Sequence, residues 1–130
     1  MARICKILVV EDNDSIRDFL QTLFDDEGYD ISVVSGGEEM RRVLSAESFD
    51  VALIDVTLPG SDDGFALAEL AREEGCGVIL VTGDSRHFDR LQSSGHQYLL
   101  KPFRIERLME LVATLISEAD CTLGEQRDRP

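Results

Sequence analysis

The sequence predicts an α/β fold, a doubly wound sheet of five parallel strands with five helices. Three observations carry this expectation. Short apolar runs rich in branched residues alternate with runs whose apolar residues recur at helical spacing. The alternation repeats five times, and strands that alternate with helices bury a parallel sheet on both faces. Carboxylate, hydroxyl and ammonium side chains stand at the ends of the apolar runs and not inside them.

The elements follow in order. "KILVV" reads as a buried first strand. The helix after it is expected to be capped by Asp14 or Ser15, to turn Ile16, Phe19, Leu20, Leu23 and Phe24 to one face, and to end at Gly28. "DISVVS" is a more exposed second strand, and "GGEEMRRVLSAES" a helix with Met40, Val43 and Leu44 inward. "DVALIDV" is the third strand. "GFALAELAREEG" is a helix that buries Phe65, Leu67, Leu70 and Ala71. "GVILVTG" is the fourth strand, "SRHFDRLQSSG" a short polar helix and "QYLL" the fifth strand. "RIERLMELVATLISEA" closes the fold, with Ile105, Leu108, Met109, Val112 and Leu115 or Ile116 on its buried stripe. One domain over residues 1–118 and a polar, frayed tail over 119–130 are expected. Right-handed crossovers leave few topologies, and the flavodoxin-like order 2-1-3-4-5 is the common five-strand solution.

Composition narrows the function classes. The 130 residues suffice for one domain, and 43% are apolar. No run approaches the roughly 18 apolar residues of a membrane span. "MARICKILVVEDN" breaks into acid too soon for a signal peptide. The net charge of −13 argues against direct nucleic-acid binding and permits metal cations or basic protein partners. Cys5, Cys76 and Cys121 are an odd number without zinc-type spacing, which suits a reducing cytoplasm and structural roles for Cys5 and Cys76.

In such sheets the site lies beyond the carboxyl ends of the strands. Those ends present Glu11 and Asp12, then Asp55, then Thr82, then Lys101. Two carboxylates about 4 Å apart repel by roughly 4 kcal/mol at an effective dielectric near 20. Three cannot all stay charged unless one binds a proton or a cation sits among them. Oxygen ligands without His or Cys suit Mg²⁺ and disfavour zinc. Asp55 can then act as a nucleophile and accept a phosphoryl group as an acyl phosphate. The metal, Lys101, the Thr82 hydroxyl and the backbone N–H of Gly83 would face the incoming oxygens.

The motifs "ILVVEDN", "ALIDVTLPGSDDG", "ILVTG" and "YLLKPF" together resemble the response-regulator receiver domain of bacterial two-component signalling, over about residues 5 to 118. The resemblance implies a phosphoprotein, not an enzyme, with Asp55 as phosphoacceptor supplied by a histidine kinase or histidine phosphotransfer protein. Asp12 and Glu11 would hold Mg²⁺ (or Mn²⁺ in its place), with Asp55 and the main-chain carbonyl of Thr57. Lys101 would pair with the phosphoryl group, and its bond to Pro102 would be cis. Thr82 and Tyr98 would form a switch that biases the face of helix 4, strand 5 and helix 5 toward a downstream protein. A stand-alone cytoplasmic receiver, monomeric or dimerising on phosphorylation, follows as the expectation, with a receiver cut from a larger protein as the alternative and with output by a protein contact or by onward phosphotransfer.

Two spacings depart from the family pattern. Gly64 stands nine positions after Asp55, one more than usual, and Thr82 to Lys101 spans 19, fewer than usual. The second shortens helix 4 or its flanks. Asp84 and Thr57, two positions after Thr82 and Asp55, can tune acyl-phosphate lifetime; their alternative role is that of exposed loop residues. His87 and His96 are expected to be solvent-exposed. A phosphatase of the haloacid-dehalogenase type would need a second Asp where Thr57 stands. An FMN binder would need a phosphate-cradling loop where "EDND" stands. An inactive pseudo-receiver would lack site residues that are present here.

Overall fold

A computed structural model of the chain describes residues 3–59 and 63–125. Its elements are β1 (Arg3–Ile4), β2 (Lys6–Val10), α1 (Asp14–Asp26), β3 (Asp30–Val34), α2 (Gly37–Ala46), β4 (Val51–Asp55), α3 (Gly64–Glu73), β5 (Gly77–Thr82), α4 (Phe88–Ser93), β6 (Gln97–Leu100), α5 (Ile105–Ile116) and β7 (Cys121–Thr122). A 3₁₀ turn, Ser85–His87, leads into α4. Five strands form one sheet in the order β3-β2-β4-β5-β6, every pair parallel. Without the extra N-terminal strand this is the predicted order 2-1-3-4-5.

Alternation along the strands builds two cores. Leu8, Val10, Ala52, Ile54, Val78 and Leu80 face one side, where Met40, Leu44, Phe65, Leu67 and Leu91 of α2, α3 and α4 cover them. Ile7, Val9, Leu53, Ile79 and Val81 face the other, under Leu20 and Phe24 of α1 and Leu108, Leu111 and Val112 of α5. All five residues of β4 are buried, so the strand that ends on Asp55 is the most enclosed of the sheet. Covering helices on both faces is what allows so apolar a strand.

Several expectations need correction. The cap of α1 is Asn13, whose side chain accepts from the backbone N–H of Ile16 at 3.0 Å, and Asp14 is already helical. Phe19 is not inward: it is 52% exposed, while Leu20 and Phe24 are buried and Ile16 and Leu23 half-buried. Residues 119–124 are not a frayed tail. β7 pairs in parallel with β1, Arg3 beside Cys121 and Ile4 beside Thr122. Cys121 is bonded to Cys5 in a disulfide with Cα atoms 4.9 Å apart, so only Cys76 is a free thiol, buried. The stretch "GSDDG" that carries the extra residue includes residues 60–62, which lie outside the described residues.

Candidate functional site: an acidic pocket at the carboxyl end of the sheet

The strand ends converge as the topology requires. Beyond β2 the backbone N–H of Glu11 donates to the Val34 carbonyl at 3.0 Å, which extends the ladder by one residue and aims Glu11 inward. Beyond β4 and β5, Val56 N–H donates to Val81 O at 2.9 Å and Lys101 N–H to Thr82 O at 2.8 Å. Glu11 and Asp55 are nearly inaccessible, at 5% and 6%, whereas Asp12 is exposed on the rim. One carboxylate oxygen from each of Glu11, Asp12 and Asp55 lies within 4.8 Å of the others.

Among the described residues a single cation, Lys101, answers these acids. Lys101 Nζ donates to Asp55 Oδ2 at 2.9 Å and lies 3.6 Å from Glu11 Oε2. Burial works to lower the Lys101 pKa, but the Asp55 hydrogen bond and the charges of Asp55 and Glu11 together outweigh it and leave it raised. Glu11 is pushed up to about 7, first by burial and then by its hydrogen bond to Asp55 and the charge there. The pocket therefore holds more negative charge than one ammonium balances. Hard oxygen donors from three carboxylates fit a small divalent cation, and no His or Cys is among them.

The rest of the pocket orients Asp55 and Thr82. Asp55 Oδ1 accepts from the backbone N–H of Thr57 at 2.8 Å. The Thr82 side chain is fully buried, its Oγ1 2.9 Å from Thr57 Oγ1, and it accepts from Asp84 N–H at 3.1 Å. The Lys101–Pro102 bond is cis, as the family resemblance implies. Gly83 leaves room for Lys101, whose Cβ would sit 3.3 Å from any Cβ placed there. Gly64 is required more strongly: a Cβ would lie 2.6 Å from Val56 Cα and 3.0 Å from Asp55 O. The start of α3, capped by Asp63 Oδ1 on Phe65 N–H, thus packs directly on the backbone of the strand that carries Asp55.

The pocket's walls also include Asn13 and Ser85, which the sequence did not single out as site residues. Arg17 was likewise missed. It donates to the Glu11 carbonyl at 2.7 Å and pairs with Asp14, so it holds the backbone on which two of the acids sit. Its position one turn into α1 is the only signal, and many exposed arginines share it. Tyr98 is half-buried on β6 against the α3–α4 core, in register with Leu80, and is not among the residues that line the acidic pocket. His87 and His96 are not free surface residues. His87 lies against the Phe65 ring, and His96 Nε2 is 3.1 Å from Glu69 Oε1 with its side chain 9% exposed.

The family model described as the response regulator receiver domain matches residues 7–113. The chain belongs to the response-regulator receiver family. Among curated relatives, this receiver is 35% identical over 118 residues to the TorCAD operon transcriptional regulatory protein TorR of Escherichia coli K12, covering 88% of the chain and 51% of that protein. It is 30% identical to the aerobic respiration control protein ArcA of the same strain, covering 85% and 48%. The chain spans about half the length of the curated relatives it matches. Among solved structures it superposes on the receiver domain of the TMAO respiratory system regulator TorR with a TM-score of 0.77, 34% identity and coverage of 87% and 97%. It also matches response regulator TrrA of Thermotoga maritima, solved in complex with Mg²⁺-BeF, at 0.75 and 30%, covering 86% and 99%. A CheY-like receiver from Methanospirillum hungatei matches at 0.78 and 28%, covering 88% and 95%. The receiver is thus a module of two-component response regulators, and no helix among its described residues is long and apolar enough to cross a membrane.

Proposed function

We propose that this receiver accepts one phosphoryl group on Asp55 from a histidine kinase or histidine phosphotransfer protein. The observation that carries the reading is the set of Glu11, Asp12 and Asp55 oxygens within 4.8 Å of one another, with Lys101 2.9 Å from the central one. Glu11, Asp12, Asp55 and the Thr57 carbonyl would hold Mg²⁺, or Mn²⁺ in its place. Bound there, the ion would neutralise the pocket and the oxygens of the arriving group.

The chain's own residues supply the remainder. An Asp55 carboxylate oxygen forms a new bond to phosphorus as the bond to the donor nitrogen breaks, and the departing imidazole keeps the electron pair. Thr57 N–H and Lys101 fix the carboxylate between two donors, so it meets the phosphorus in one orientation. Lys101 can turn its ammonium to the phosphoryl oxygens without leaving the pocket. Thr82 exchanges its hydroxyl contact with Thr57 for the new oxygens, and the vacated space lets Tyr98 turn inward. This biases the face of α4, β6 and α5, and a protein partner reads that face. The receiver acts as a signalling acceptor that slowly loses its phosphoryl group to water, in the cytoplasm, and not as a turnover enzyme. Its net charge of −13 favours protein over nucleic-acid contact for this module.

Incubation with acetyl phosphate and Mg²⁺ tests the reading. Intact mass is expected to show one added phosphoryl group that hydroxylamine removes and EDTA prevents. Uptake that persists in EDTA would contradict it.

A further inference from the structure

The Cys5–Cys121 bridge stands at the opposite end of the sheet from Asp55. Cys5 precedes β2, and β2 and β4 run parallel in register, so roughly 16 Å of strand separates the bridge from the acidic pocket. The signalling chemistry makes no use of it. The bridge joins positions 116 residues apart and fastens the segment after α5 to the first residues of the chain.

This segment is fitted, not merely tethered. Thr122 O accepts from Cys5 N–H at 2.8 Å, and Gly124 N–H donates to Gly28 O at 2.7 Å. Gly28, in the left-handed region at φ +95, and Gly124 meet so closely that a Cβ on Gly28 would lie 2.5 Å from Gly124 O. Yet the non-covalent part is small. β1 and β7 have two residues each, too few to hold an isolated pair together. The bridge adds a covalent link to this small seat. The two cysteines differ in access: Cys5 is fully buried, while Cys121 is half-buried.

We propose that Cys5 and Cys121 form a thiol–disulfide clasp that fixes or frees the segment after α5 according to the surrounding redox state. Taking a low-molecular-weight disulfide RSSR as oxidant, the Cys121 thiolate attacks one of its sulfurs, forming a mixed disulfide and expelling RS⁻. The Cys5 thiolate then attacks the Cys121 sulfur and expels the second RS⁻. Two electrons pass to RSSR, and the two protein protons end on two RSH. Reduction by two thiols retraces these steps, entering at Cys121 because the Cys5 sulfur is enclosed. A disulfide in a reducing compartment is characteristically reversible, so the regulatory sense of the clasp rests on the cytoplasmic placement proposed above. The bond and its seat do not.

Equilibration of the full chain in graded mixtures of reduced and oxidised glutathione, followed by alkylation and peptide mass mapping, reads the bond directly. Amide hydrogen exchange at Gly124 reads the seat, and neither readout involves Asp55. The expected result is a Cys5–Cys121 cross-link that forms and disappears within the series. Exchange at Gly124 should be more than about tenfold faster in the reduced state. Cys121→Ser should match the reduced chain, and Cys76→Ser should keep the full difference. A cross-link absent from the most oxidising mixture, one that persists in the most reducing mixture, or equal exchange at Gly124 in both states would each overturn the clasp.

Discussion

At the scale of single residues, the pocket is governed by one imbalance, three acids against one lysine. Glu11 shows it most plainly. Its pKa is raised to about 7, so below that pH it keeps a proton that a bound cation would have to displace. Mg²⁺ affinity is therefore expected to rise with pH up to about 7 and then level off, as isothermal titration across that range would show. An affinity flat from pH 5 to 8 would place the metal elsewhere. Thr57 offers a second test. Its hydroxyl contact with fully buried Thr82 is lost in Thr57→Val, while the backbone N–H to Asp55 remains. Urea unfolding should show a loss of about 1 kcal/mol, largely restored by Thr57→Ser. Asp55, Lys101, Thr82, Glu11 and Asp12 were all legible in the sequence, because strand ends are marked by an abrupt change from apolar to polar residues. Arg17 was not, because it acts on a carbonyl and leaves no chemical signature of its own.

At the scale of elements, the least forgiving junction is where α3 meets the end of β4. A methyl group at Gly64 would press on Val56 Cα and Asp55 O, backbone atoms that cannot rotate away. Gly64→Ala is expected to cost about 1–3 kcal/mol and to impair phosphoryl uptake together with stability, since Asp55 itself must shift. Wild-type stability and uptake in this variant would refute the junction's role. Helix and strand positions followed from periodicity, but the finer details did not. Asn13, Asp14 and Ser15 are all good capping residues, and only the direction of entry from β2 selects Asn13. Phe19 fits the helical stripe of α1, yet that stripe is wider than the surface it covers, so Phe19 faces out beside Pro102 and Phe103. His96 reads as a surface residue because its partner, Glu69, lies 27 positions away on α3.

For the whole molecule, the ends of the chain were illegible. Two-residue strands carry no periodic signal, and an odd count of cysteines does not point to a pair 116 residues apart. Their effect is nonetheless global. The chain-entropy treatment gives about 4–5 kcal/mol for closing so long a loop. Reduction of the bridge is expected to lower the melting temperature by roughly 10 °C or more in calorimetry, and an unchanged transition would show that the seat holds without it. The sheet order, by contrast, is the common one among the few topologies that five βα units and right-handed crossovers leave. That order alone brings residues 11, 12, 55, 82 and 101 to one edge.

The central claim is that this edge makes Asp55, and no other carboxylate, a phosphoryl acceptor. Borohydride reduction after acetyl phosphate treatment, with peptide mass mapping, tests it most directly, because an acyl phosphate is reduced to an alcohol at the residue that carried it. The expected result is reduction at residue 55 alone, only in the presence of Mg²⁺, and none in Asp55→Asn. Reduction at Glu11 or Asp12 in the wild-type chain, or a phosphoryl adduct that survives Asp55→Asn, would contradict it.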